Sequence, residues 1–128
     1  MASSGVVIDT SIFVEYLRSR NRPQTSLVNL PTNTVFYASA ITVFELYSGA
    51  TDVQKKLEID TLLQEVLILP FNTATAQSAG LIYQDLRRKG KMIEVADILI
   101  AATALANGLP VKTLNIGHFQ RISTLVVF

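Results

Sequence analysis

The sequence predicts an α/β protein: a three-layer α/β/α sandwich around a mostly parallel sheet of four or five strands. Three observations carry that expectation. Short runs of apolar, often β-branched residues, such as Val6, Val7 and Ile8, lack polar–apolar alternation, as strands covered on both faces do. These runs alternate with helical patterns of roughly 10–15 residues, the signature of parallel strands joined by helical crossovers. Finally, 49% of the 128 residues are hydrophobic and only 16% charged, which excludes intrinsic disorder and allows one well-filled core. A single domain over residues 1–128 is expected.

The elements follow in order. Residues 6–8 form a strand that stops at Asp9. Thr10 or Ser11 can cap the following helix, where Ile12, Phe13, Tyr16 and Leu17 have helical spacing. Residues 21–23 break it. Residues 34–38 read as a second strand, and Ser39 or Thr42 caps a helix that ends near Gly49. Asp52 caps a third helix, with Val53, Leu57, Leu62, Leu63 and Val66 as its apolar positions. Residues 67–71 form a short strand containing Pro70. Thr73 or Thr75 opens a long helix to about Arg88, with Gly90 as its C-terminal cap. Residues 95–107 form a very apolar helix ended by Asn107 and Gly108. Strands are expected at 109–114 and 125–128.

Composition removes several function classes. The absence of cysteine excludes disulfides, iron–sulfur clusters and thiolate zinc sites. One histidine excludes a site needing two imidazoles from one chain. Eleven Lys and Arg against ten Asp and Glu give a formal charge of +1, so any basic patch must be local. The first residues lack the basic lead of a secretory signal. The longest apolar run, residues 95–106, is shorter than the ~20 residues of a membrane span. A soluble protein without membrane attachment, in the cytoplasm, is expected.

Three carboxylates occupy places where the pattern calls for apolar side chains: Asp9 at a strand end, Glu45 between Phe44 and Leu46, and Asp97 in the first turn of the most apolar helix. Each has an ordinary explanation. Asp9 suits an N-cap, Glu45 suits the wet face of an amphipathic helix, and Asp97 suits the positive end of a helix dipole. In a parallel sheet, however, strand ends and helix starts meet along one edge. Acids converging there can be stabilised by a hard divalent cation, which favours oxygen ligands. Glu94 stands one turn before Asp97, either as a fourth acid or as an ordinary first-turn residue. The basic runs Arg87, Arg88, Lys89, Lys91 and Arg18, Arg20, Arg22 are either solvated helix ends or phosphate contacts, which position nucleic acid without reading its sequence.

Three segments, VVIDTSIFVEYL, ITVFELYSGA and VADILIAATALANGLPVKTLNIGHFQRI, taken in this order resemble the PIN-domain family, and in particular the VapC-type toxins of bacterial toxin–antitoxin pairs. The resemblance covers essentially the whole chain. It implies an Mg²⁺- or Mn²⁺-dependent endoribonuclease, with RNA and a cognate antitoxin as partners and a homodimeric state. By position, Asp9, Glu45 and Asp97 correspond to the family's metal-binding acids, and Ser11 to a small polar residue beside the first. Asn115, in the Thr113-x-Asn115 slot, stands with an amide where the family often has a fourth acid, and is counted with the catalytic set. Glu94 is auxiliary; Arg87, Arg88, Lys89 and Lys91 are the expected RNA contacts. His118, before Phe119, is read as a structural or RNA-contacting side chain. The helices of residues 41–66, including Tyr47, supply candidate apolar groups for a dimer surface. Two other functions compete: a catalytically silent PIN-like module that binds RNA or protein, and a phosphate-transferring enzyme of the haloacid-dehalogenase or receiver type. The latter calls for another acid two residues from the strand-end Asp, where this chain has Val7 and Ser11.

Overall fold

The computed structural model describes residues 4–128; the reading of residues 1–3 as part of a chain start without a leader lies outside the described residues. Strand β1 (Ser4–Ile8) leads into helix α1 (Thr10–Arg18), and a 3₁₀ turn at Arg22–Gln24 precedes β2 (Thr34–Ser39). Helices α2 (Ala40–Ser48) and α3 (Val53–Leu63) come next, then β3 (Leu67–Leu69) and α4 (Thr73–Lys89). Helix α5 (Val95–Ala106), strand β4 (Val111–Lys112) and the short helix α6 (Ile116–Phe119) complete the order.

The sheet has four strands, ordered β3-β2-β1-β4, all pairings parallel. From β1 the chain builds outward to β2 and β3, then returns past β1 to lay β4 on its other side. The loops leaving β1 and β4 therefore part in opposite directions. Such a switch point opens a crevice at the carboxyl ends of the strands.

β1 is buried on both faces because its side chains alternate between two cores. Val7 packs with Ile98, Ala101, Leu86 and Phe119, on the side of α4 and α5. Val6 and Ile8 pack with Ile12, Phe13, Leu46 and Ile59, on the side of α1, α2 and α3. These two apolar layers make the α/β/α sandwich. Gly5 permits close approach here: a Cβ would lie 2.9 Å from the Tyr37 ring and 3.1 Å from Leu109.

Several local expectations need correction. Asp9, rather than Thr10 or Ser11, caps α1, and Asn72, rather than Thr73 or Thr75, caps α4. In both cases the residue ahead takes the extended backbone an N-cap needs and reaches the free N–H groups first. On α3 the buried residue is Ile59, while Val53 and Leu57 face solvent and Val66 lies past the helix end. β3 stops at Leu69, before Pro70, which has no N–H to give a ladder. β4 is two residues long. Residues 125–128 form no strand, contributing a single parallel bridge between Val111 and Val127.

Candidate active site

Asp9 ends β1 and is 2% exposed. It is both a helix cap and part of a polar cluster, so the two readings of this residue do not compete. Its Oδ2 receives the Ser11 hydroxyl at 2.6 Å, the Thr113 hydroxyl at 2.8 Å and, more loosely, the Ser11 N–H at 3.4 Å. A hydroxyl has one proton. With both protons directed at Asp9, the hydroxyl oxygens serve as acceptors: Ser11 Oγ takes the Leu114 N–H at 3.1 Å, and Thr113 Oγ1 takes the Asn115 N–H at 2.9 Å. Two backbone N–H groups after β4 are thus relayed through hydroxyls onto one carboxylate oxygen. These bonds span the switch point between β1 and β4.

Glu45 is placed by α2, which starts directly after β2 because Ser39 Oγ accepts the Ile41 N–H. The carboxylate receives the Thr10 hydroxyl at 2.7 Å, and Thr10 Oγ1 lies 3.0 Å from the hydroxyl of the fully buried Thr42. Thr10 has one proton for these two acceptors, and Glu45 is the nearer. The relay joins the start of α1 to α2.

Asp97 lies half-buried in the first turn of α5. Burial, followed by the negative charges of Asp9, Glu94 and Glu45, pushes its carboxyl up to about 6, while His118 pulls the other way. Four acids and the one imidazole therefore share an electrostatic neighbourhood. Glu94 is exposed at the N-cap position of α5 and makes no capping bond; Asn115 is exposed at the start of α6, also without one. Among the described residues, no three His, Asp or Glu side chains are gathered closely enough to form a ready metal cage. The donor set, carboxylates held by hydroxyls, consists of hard oxygen ligands. That suits Mg²⁺, which keeps several waters and needs only one or two direct carboxylates.

The basic run at the end of α4 is divided. Arg88 and Lys89 both pair with Asp85; Arg87 and Lys91 are exposed. In the second basic group, Arg22 pairs with Glu58 at 2.9 Å and stacks 4.7 Å from the Tyr16 ring. Tyr47 is not a bare apolar group: its hydroxyl donates to Asp60 at 2.6 Å. The sequence offers Thr10 and Thr42 only as cap candidates, places that Asp9 and Ser39 take, and gives no sign of the Thr113 bond to Asp9. Thr10 adjoins Asp9 and Thr42 stands one helical turn before Glu45, which is a local signal; Thr113 has no acid near it in the sequence.

The sequence matches the family model described as PIN domain over residues 6–125. The chain belongs to the PIN-domain family. Among its relatives, Ribonuclease VapC1 of Rickettsia felis is 32% identical over 96% of this chain and 94% of that protein. Ribonuclease VapC1 of Methanocaldococcus jannaschii is 28% identical over 93% and 82%. Among solved structures, VapBC2 from Rickettsia felis, bound to a DNA fragment from its promoter, superposes with a TM-score of 0.86 at 26% identity, covering 97% of both chains.

Proposed function

We propose that this protein is a divalent-metal-dependent endoribonuclease and the toxin of a toxin–antitoxin pair, built as one PIN domain over residues 1–128, working as a homodimer in the cytoplasm. The observation that carries the reading is the carboxyl of Asp97, pushed up to about 6 by burial and by the charges of Asp9, Glu94 and Glu45. Acids that oppose one another in this way gain most from a cation. The ribonuclease names of the relatives and the toxin–antitoxin complexes among the structural neighbours support the substrate and the partner. Among the described residues, no helix is long and apolar enough to cross a membrane.

Asp9, Glu45 and Asp97 are the residues that would hold Mg²⁺ or Mn²⁺, with Glu94 auxiliary and Asn115 beside them in the catalytic set. When bound, the ion would neutralise the phosphodiester and supply an activated water at neutral pH. The chain's own groups prepare that site. Ser11 and Thr113 fix the Asp9 carboxylate through Oδ2, and none of their bonds ends on Oδ1. Thr10 fixes Glu45. Arg87 and Lys91 provide phosphate contacts for RNA; Arg88 and Lys89 would first exchange Asp85 for the substrate.

The test is cleavage of RNA by purified protein with Mg²⁺, with EDTA, and by the Asp9→Asn and Asp97→Asn variants. Each amide keeps its side-chain shape and removes one charge. Activity should require metal and should fall at least a hundredfold in either variant while circular dichroism stays unchanged. Full cleavage by both variants would dismiss the mechanism. Mapping the RNA ends then identifies the target.

A further inference from the structure

We propose that residues 126–128 act as a backbone clip that positions Thr113 for its bond to Asp9, so that they tune the site without touching it. β4 is only two residues long. On one side it is held by β1, through the Val7–Val111 and Ile8–Lys112 pairings. On the other, among the described residues, it is held by residues 126–128. Val111 N–H donates to the Val126 carbonyl at 2.9 Å, Phe128 N–H donates to the Val111 carbonyl at 3.0 Å, and Thr113 N–H donates to the Phe128 carbonyl at 3.1 Å. The last bond is the important one. Thr113 is 2% exposed, and its hydroxyl is the one that donates to Asp9 and accepts from Asn115.

A buried N–H deprived of its acceptor turns toward another partner, and rotation of that peptide would carry the Thr113 hydroxyl with it. The bond to Asp9 is direction-sensitive and weakens as it bends. Val126 is 67% exposed and Phe128 42%, while Val127 is partly buried against the core on the side of α4 and α5; the clip is held by these backbone bonds, by Val127 and by the Lys112 ammonium, 5.1 Å from the Phe128 ring. A segment with one partly buried side chain out of three opens locally before the core does. The clip is therefore a place where opening reaches the site without unfolding the protein.

The kinetic part of the test rests on the ribonuclease reading; the amide part does not. Two variants are compared with wild type: removal of residues 126–128, and Phe128→Pro, which deletes the N–H donated to Val111 together with the ring that faces Lys112. By hydrogen exchange, the amides of Leu114 and Asn115 should lose at least tenfold protection in both, while those of Ile100 and Ala104 in α5 keep theirs. In RNA cleavage, kcat should fall about tenfold with KM within twofold. Thr113→Val should show a similar defect, and adding it to the truncation should cost nothing further, because both act through one bond. Unchanged Leu114 and Asn115 amides, or defects that multiply in the double variant, would overturn the clip. If wild type itself cleaves no RNA, the ribonuclease reading fails, and the amide exchange still decides whether the clip exists.

Discussion

At Asp97 the cost of the site to the fold can be measured. The unfolded chain releases this proton near its ordinary value of 3.8, and the folded chain near about 6. Between those values the folded state binds more protons than the unfolded one, so stability falls as pH rises through this window. Below 3.8 the contribution is fully present, and above 6 it is lost. Asp97→Asn removes the titration. In metal-free buffer the variant should be more stable than wild type at pH 7.5, by about 1 kcal/mol after allowance for solvent screening at a half-buried position, and its stability should not share the decline between pH 4 and 6. Urea melts at several pH values read both. A variant less stable than wild type at pH 7.5 would mean that Asp97 serves the helix dipole rather than opposing other acids. The three acids were legible as misfits in apolar surroundings. Their hydroxyl partners were not, because Thr10 and Glu45 are 35 residues apart and Thr113 and Asp9 are 104 apart. No local pattern connects positions so distant.

Among the elements, legibility followed length. The long helices α4 and α5 announced themselves through apolar spacing and their end signals, and Gly90 is the clearest case. Its φ is +66°, Gly90 N–H bonds to Arg87, and Lys91 N–H bonds back to Leu86 at 2.9 Å, which is the Schellman ending that glycine favours. A Cβ there would meet nothing within 4 Å. Gly90→Ala should therefore destabilise through backbone conformation alone, by about 1 kcal/mol, visible as a lower thermal midpoint with RNA cleavage per folded molecule unchanged. Loss of cleavage beyond the loss of folded protein would show that the shape of this turn, and not only the charges of Arg87 and Lys91 beside it, is needed for RNA contact. The short elements were less legible for a physical reason. The run at 109–114 can offer six residues to a sheet, but β1 takes only Val111 and Lys112 into its ladder register. Ser39, Asp52 and Gly90 cap as expected, but the first cap of α4 is displaced by one to three residues, because the segment Asn72 to Thr75 contains three polar side chains able to cap and only the backbone chooses among them.

For the whole molecule, the sandwich brings strand ends from β1 and β2 and the start of α5 to one edge, and so gathers charges that the fold alone does not want. A cation that binds only the folded state should return that stability by mass action. At a free Mg²⁺ concentration ten times its dissociation constant the gain is about 1.4 kcal/mol, worth roughly 4–7 °C in the midpoint of a domain of this size. The gain must depend on pH, because a carboxyl that titrates near 6 has to lose its proton before it can serve the ion. Thermal melts with and without Mg²⁺, at fixed protein concentration, should therefore show a clear upward shift at pH 7.5 and little at pH 5. In Asp97→Asn, the shift at pH 7.5 should be smaller than in wild type, even though that variant starts from a higher midpoint in metal-free buffer. Mg²⁺ shifts of equal size at both pH values, or in both proteins, would place the ion elsewhere on the surface and separate the acidic edge from metal binding.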